Sequence, residues 1–509
     1  MMLIKQGLVS ERAYQKNIFE AAKDRNTLVV LPTGLGKTII AALVIDYRLE
    51  KFKGSKALFL APTKPLVNQH IKTFSGLAKA DLFAASGSIK KEDRRIGYTS
   101  SQIVFATPQT VGNDIDSGII DFSDFSVLVV DEAHHAIGNY SYVKIAQKYL
   151  ATAKNPLVLG LTASPSSDKE KITAICRNLG ITNVEIRNED DPDVAPYLNR
   201  KQIIKVEVRL PPEILILSSQ MKSLINEQKE ELAKYGFFKN TSSSINKIKI
   251  LMLQKSLQRQ MFAGHRNFYA IRGIIATSKL LKLYHAYDLL TTQSLAAFVN
   301  FIHKIMEGGK SKTDKELAKS EGLNQLYEKA DSLLKSGAEH PKINKAAELI
   351  AENLKDDQKA IVFTQYRETV DILYRHLKTK EGIRPVRFIG QGRGGLLQRE
   401  QIQIVKDFES GIYNVLVSTS VSEEGISIKG VDLAIFYDSV PSAIRSIQRR
   451  GRVGRFNISK IFLLVTEGTS DEAYYWVSKK KESKMKRIIE NMKDNPQQLM
   501  QDGTLNPFV

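Results

Sequence analysis

A single cysteine, Cys176, stands in 509 residues, which rules out an internal disulfide and a thiolate metal cluster and fits a reducing compartment. The eight histidines show no zinc-ligand spacing. No apolar run approaches the ~18 residues that would suggest a membrane span. The N-terminal stretch MMLIKQGLVSER has no basic head followed by a long apolar run, so no secretory signal is expected and a cytoplasmic location is. Acid is also scarce. Lys plus Arg number 74 against 55 Asp plus Glu, a net charge of +19. That excess favours a polyanionic partner, although a lysine-rich solubility surface would read the same way in the totals. The shortage is sharpest between Glu231 and Asp288, where no acidic residue occurs and ten basic ones do.

At this length about three domains are expected. In residues 1–200 the apolar runs TLVVL (27–31), ALFLA (57–61), IVFA (103–106), VLVV (127–130) and LVLGL (157–161) predict buried parallel strands joined by crossover helices. From 339 to 509 the rhythm returns in AIVFT (360–364), VRFIG (386–390), NVLVSTS (414–420), DLAIFY (432–437) and KIFLLV (460–465). The fold class is therefore α/β, with two parallel-sheet domains. A helical domain over 201–338 lies between them, led in by a strand-like KQIIKVEVRL (201–210). Its one-signed run, including Lys247, Lys249, Lys255 and Arg259, reads as a nucleic-acid surface in preference to an ordinary basic face. The aromatics interspersed there, Phe268 and Tyr269 among them, read as core. The polar stretch EGGKSKTDKELAKSEG (307–322) reads as a loop, and KKKESKMKRIIENMK (479–493) as a basic amphipathic helix that either contacts DNA or packs back on a domain, with packing preferred.

The stretch LVVLPTGLGKTII (28–40) carries the chemistry. A phosphate-binding loop wants Gly, four residues, then Gly-Lys-Thr; here Leu31 occupies the first position. The surroundings are nevertheless those of a phosphate cradle: a strand runs into the loop and an apolar helix follows, its N-terminus facing the anion. Gly34 and Gly36 allow close backbone approach, Lys37 can reach the β- and γ-phosphates of a nucleotide, and the Thr38 hydroxyl can ligate Mg²⁺. The sequence DEAH (131–134) follows the strand VLVV, so Asp131 is the expected Mg²⁺ holder and Glu132 the base that polarises water. His134, with no third ligand at suitable spacing, reads as a residue coupling the domains.

PTGLGKT, DEAH, TAS (162–164) and QRRGRVGR (448–455) resemble motifs I, II, III and VI of superfamily 2 helicases, where the first glycine of the loop is often replaced. The resemblance implies further roles. Arg12 and Gln15 in RAYQ would read the adenine, Thr33 and Gly425 would join the nucleotide site, and Thr162 and Ser164 would couple the domains. Pro62, Thr63 and Lys64 in motif Ia, Thr107, Pro108 and Gln109 in motif Ib, Thr364 in motif IV and Thr419 in motif V would touch the nucleic-acid backbone. Gln448 would position the attacking water, with Arg452 and Arg455 as arginine fingers. Motif V departs from the pattern: Ser427 stands where an aspartate commonly contacts the ribose.

DEAHHAIGNYSYV (131–143), SVPSAIRSIQRRGRVGR (439–455) and TSDEAYYW (469–476) are similar to the family of archaeal Hef helicases and Fanconi-anaemia M translocases. That resemblance implies ATP-dependent remodelling of forked and branched DNA, movement in the 3′→5′ sense, an archaeal cell, and a sliding clamp among the partners of a monomeric chain. The rival within ATPases is a duplex-RNA-stimulated enzyme of the RNA-sensor and Dicer branch. A decayed binding scaffold is opposed by the intact Lys37, Asp131, Glu132, Gln448, Arg452 and Arg455.

Overall fold

The computed structural model describes residues 12–32, 34–163, 168–188, 191–197, 202–237, 247–262, 268–307, 311–355, 357–390, 395–419, 430–438 and 460–494. The first sheet holds β1 (Thr27–Val30), β2 (Lys56–Leu60), β3 (Leu82–Ala85), β4 (Ile103–Ala106), β5 (Phe125–Asp131), β6 (Val158–Thr162) and β7 (Asn183–Ile186). Their order is β3-β4-β2-β5-β6-β1-β7, and every pairing is parallel. Side chains alternate across such a sheet. Leu28, Leu58 and Leu128 enter one buried layer, whereas Val29, Phe59 and Val129 enter the opposite one. Burial on both faces is why the central strands read as unbroken apolar runs. The edge strands β3 and β7 are only half-buried, and their short segments LFAA and NVEI carry no such run.

The second sheet is also parallel, in the order β10-β11-β9-β12-β13-β8. Its strands are β8 (Gln202–Val208), β9 (Ala360–Thr364), β10 (Pro385–Phe388), β11 (Val415–Thr419), β12 (Leu433–Phe436) and β13 (Lys460–Thr466). Here the expected boundary at 201 is corrected. Strand β8 pairs with β13 from Gln202↔Lys460 to Val208↔Thr466, so the chain contributes an edge strand to the second sheet before the helices begin.

The helical unit comprises Pro212–Lys234, Lys247–Phe262, Phe268–Asp288, a single wide turn Leu289–Gln293, Leu295–Met306, Lys312–Leu317 and Glu321–Lys335. One core that includes Met221, Leu280, Phe298 and Leu326 holds it together. The stretch expected as a loop contains the short helix Lys312–Leu317. Ser311 caps it by accepting from the Asp314 amide at 3.1 Å, and Asp314 forms an ion pair with Lys282. Lysine and aspartate spacing looked solvated in sequence; the fold buries Thr313, Asp314 and Leu317.

The helical unit is fastened to the second sheet by a buried polar junction. Lys342 is fully enclosed. Its ammonium donates to the carbonyls of Tyr437 (2.8 Å) and Thr292 (3.1 Å) and pairs with Asp471. Gln293 donates to Asp438, which also accepts from the Gln365 amide. The C-terminal helix Ser470–Asp494 starts at this junction and continues to the first domain, where Ile488 packs on the core beneath the sheet. Packing back on a domain is thus the observed arrangement for the tail.

Candidate nucleotide site and nucleic-acid face

Because β6 lies between β1 and β5, the segments after these three strands are neighbours at one sheet edge, as open α/β sheets require of a ligand site. Leu31 donates its amide to the Thr162 carbonyl at 3.1 Å, and Asp131 is in register with Leu161. The loop then turns through Gly34 (φ 82°) and Gly36 (φ 77°), left-handed conformations that glycine adopts freely. Gly36 has a second reason to lack a side chain: an added Cβ would meet Gln15 Nε2 at 2.5 Å. The helix Lys37–Lys51 starts immediately after, so its unpaired N–H groups face the loop. Lys37 is buried and donates to the carbonyls of Leu31 (2.5 Å) and Pro32 (3.1 Å), which holds its ammonium over the loop.

Gln15 is drawn to the same place. Its amide donates to the Leu35 carbonyl at 3.1 Å, while its carbonyl oxygen accepts from the Arg12 amide at 3.2 Å. Tyr14 donates to the Leu35 carbonyl at 2.8 Å and accepts from the Arg12 guanidinium at 3.2 Å. Burial raises the Tyr14 phenol above its ordinary pKa, against the lowering effect of Arg12, and keeps it a donor. Nothing in the pattern RAYQ itself singles out Tyr14.

Asp131 is 1% exposed. Its Oδ2 lies 3.1 Å from His70 Nε2, and its backbone carbonyl accepts from the Tyr142 hydroxyl at 2.7 Å. Neither His70 nor Tyr142 carries a spacing signal that points to Asp131, so the sequence alone did not find them. Glu132 adopts φ 51°, the sole non-glycine residue at positive φ among those described. For a residue with a bulky side chain this is a strained turn, the kind that persists where surrounding contacts enforce a functional geometry. His134 Nδ1 lies 3.2 Å from the Thr162 hydroxyl and 3.3 Å from Glu132 Oε2. The contacts therefore run without a break from the loop through Thr162 and His134 to Glu132.

No cluster of three or more potential metal ligands occurs among the described residues. Mg²⁺ is ordinarily held by one or two carboxylates together with substrate phosphates. Thr38 lies in the first turn of the loop helix and Asp131 ends β5, two strands away, so the donor set fits a nucleotide-borne Mg²⁺.

The expected nucleic-acid contacts also fall on matched strand ends. Pro62, Thr63 and Lys64 follow β2; Thr107, Pro108 and Gln109 follow the adjacent β4, and the Ala61 amide donates to the Ala106 carbonyl at 3.1 Å. In the second sheet Thr364 and Thr419 are direct register partners. In the helical unit Lys249, Lys255 and Arg259 are exposed, but Lys247 pairs with Asp288 at 3.1 Å. Lys279 reaches Glu231 and Glu316, both at 3.3 Å. The acid-free run is thus partly neutralised in space by acids from outside it. Thr33, Ser164, Gly425, Gln448, Arg452 and Arg455 lie outside the described residues.

A glycine-turned phosphate loop and a DEAH box at the same edge of one parallel sheet, with a single strand between them, in a chain with a second parallel sheet, define a superfamily 2 helicase core. Residues 8–167 match the family model described as "Type III restriction enzyme, res subunit" and residues 341–457 match "Helicase conserved C-terminal domain". Residues 216–335 match "Putative ATP-dependent RNA helicase, helical bundle". The crystal structure of the Pyrococcus furiosus Hef helicase domain is similar at 41% identity and a TM-score of 0.76, covering 94% of this chain and all of that one. The chain belongs to the Hef helicase family.

A Methanocaldococcus jannaschii protein named "Putative ATP-dependent RNA helicase MJ1505" is 39% identical over 96% of this chain and 62% of its own length. The Schizosaccharomyces pombe ATP-dependent DNA helicase fml1 is 32% identical over 91% of this chain and 58% of its own length. The chain spans about three fifths of each of these two curated relatives. No helix among the described residues is long and apolar enough to cross a membrane.

Proposed function

We propose that this chain is an ATP-driven DNA helicase or translocase that remodels forked and branched DNA, moving 3′→5′. The observation that carries the ATPase reading is the continuous set of contacts linking the phosphate loop, Thr162, His134 and Glu132. In this reading Gly34, Gly36 and Lys37 hold the phosphates, and Arg12 and Gln15 meet the adenine. Thr38 and Asp131 would hold Mg²⁺, which supplies charge neutralisation on the phosphate oxygens when bound. Glu132 orients and deprotonates the attacking water, with its strained backbone fixing the carboxylate. Gln448, Arg452 and Arg455 complete the site from the second domain, so hydrolysis requires closure of the two domains and opening releases product. Motifs Ia and Ib on one sheet, with Thr364 and Thr419 on the other, hold the strand that such cycles advance.

The fission-yeast relative is named a DNA helicase and the M. jannaschii relative an RNA helicase, so the nucleic acid is the point to test. The steady-state ATPase rate is measured alone, with single-stranded DNA, linear duplex DNA, a three-way fork and duplex RNA. Strongest stimulation by the fork is expected. Equal or stronger stimulation by duplex RNA would move the chain to the RNA-stimulated branch. A monomeric state, a cytoplasmic site and a sliding-clamp partner belong to the same proposal; co-elution with a purified clamp tests the last.

A further inference from the structure

The helices Lys247–Phe262 and Phe268–Asp288 run antiparallel, as three contacts along them show. Lys247 meets Asp288 at 3.1 Å, Gln254 donates to Ser278 at 2.8 Å, and a Cβ placed on Gly273 would come within 2.7 Å of Leu257 Cδ1. One end of the pair is anchored, because Asp288 accepts from the Ser470 hydroxyl at 3.1 Å. The 21-residue second helix spans about 30 Å, which sets its other end that far from the anchor.

That far end does not carry the buried aromatics expected from sequence. Phe268 is 67% exposed and Tyr269 is 64% exposed. The Arg272 guanidinium lies over the Phe268 ring at 5.1 Å and is itself exposed. Arg259, two residues past Leu257 toward the same end, is exposed on the partner helix. Single exposed apolar side chains are ordinary. Two exposed aromatic side chains at consecutive helix positions, one with an arginine over its ring, in a stretch without one acidic residue between 231 and 288, form a specific surface. Every nucleobase has a face that can stack on such rings, and arginine adds charge to the stack. Duplex bases are already stacked on one another and offer no face except at an end. An acidic partner would suit the charge, but a partner that also presents flat apolar faces is an unpaired nucleic-acid strand.

We propose that Phe268 and Tyr269 form a stacking platform for unpaired DNA bases, with Arg259 and Arg272 beside it to meet the flanking phosphates. This rests on the reading of the chain as a DNA motor and names the DNA feature its helical unit grips: the unpaired arm at a branch. The rings sit on the helical unit, so their grip is separate from the strand-end contacts of the two sheets.

The test uses the full chain and fluorescence anisotropy with three labelled DNAs: a single strand, a blunt duplex, and a fork with unpaired arms. Phe268→Ala combined with Tyr269→Ala should weaken binding of the single strand and the open-armed fork by about thirtyfold or more, since each stacking ring is worth about fivefold or more. The blunt duplex should change less than about twofold, because phosphate contacts dominate there. Phe268→Trp and Tyr269→Phe keep a ring and should keep the affinity, and both sites are exposed enough to tolerate the change. A 2-aminopurine in the unpaired arm should be quenched by the native chain and not by the alanine variant. Undiminished single-strand binding would overturn the platform and leave a protein-docking tip as the alternative, and so would an equal loss on all three DNAs. If the native chain bound none of these DNAs, the motor reading would fail with it.

Discussion

Gly36→Ala offers a quantitative test of how the phosphate loop is built. Two costs can be separated. A residue with a Cβ held at φ 77° costs about 1–2 kcal/mol in backbone strain. The new Cβ would also come within 2.5 Å of Gln15 Nε2 and displace an amide that bonds Leu35 and Arg12, each hydrogen bond contributing about 1 kcal/mol. Together these come to about 3 kcal/mol, or roughly a hundredfold in ATP affinity if the loop is misplaced by that amount. In a Gln15→Ala background the amide is gone, so Gly36→Ala should cost only its strain, roughly tenfold. The assay is a double-mutant cycle on binding of a fluorescent ATP analogue, paired with a GTP analogue, because displacing Gln15 should also erode the preference for adenine. A coupling energy of about 1–2 kcal/mol is expected. Additivity to within about 0.5 kcal/mol would refute the contact between loop and glutamine as the element that sets the site.

Glu132→Gln should retain ATP binding while lowering turnover by about 10²–10⁴, whereas Lys37→Ala should weaken binding itself; equilibrium binding alongside steady-state rates separates the two. Changing Lys255 and Arg259 to Gln should reduce the slope of log affinity against log salt by about 2, and an unaltered slope would remove these side chains from the DNA path. Lys247 is left out of that variant because its pairing with Asp288 serves the fold. Lys342→Met should destabilise by about 3–5 kcal/mol in thermal or urea unfolding, since Asp471 would be left buried without its cation. Burial pushes His340 down to about 3, so the folded state keeps it neutral while the unfolded chain protonates below about 6.5. Its contribution is present above that pH and lost below it, about 2 kcal/mol between pH 7 and 5. Asp438, raised by burial to about 6, works oppositely and returns about 1 kcal/mol over the same range. Urea unfolding at both pH values should therefore show a shallow loss in the native chain and a gain on acidification in His340→Gln.

What could be read from the sequence followed from burial on both faces. Most of the ten strands read from sequence announce themselves by a buried, mainly apolar run, as in β5, where all seven residues are buried. The motifs were legible because phosphate chemistry restricts residue types at strand ends. Strands β3 and β7 were missed since a half-covered edge needs no apolar run, and β8 was assigned to the wrong unit because its partner β13 lies more than 250 residues away in the chain. His70 was invisible as a partner of Asp131 for the same reason: their contact is made by the order of the strands. The exposure of Phe268 and Tyr269 could not be read either, because helical periodicity marks which residues share a face and not whether anything covers it.

Strand β8 has one more consequence. The chain enters the second sheet at Gln202–Val208, leaves it for the helices, and returns at Pro341–Asn353, where Ile343 packs in the same core as Val208. The points of departure and return are therefore close together, and the helical unit hangs on the second sheet as a loop hangs between two adjacent posts. In evolutionary terms it is a cassette: its length and content can change without altering either sheet's strand order, provided the junction at Lys342 and Asp438 keeps its partners. A branch specialist and a plain strand walker could differ by what is threaded through that one gap.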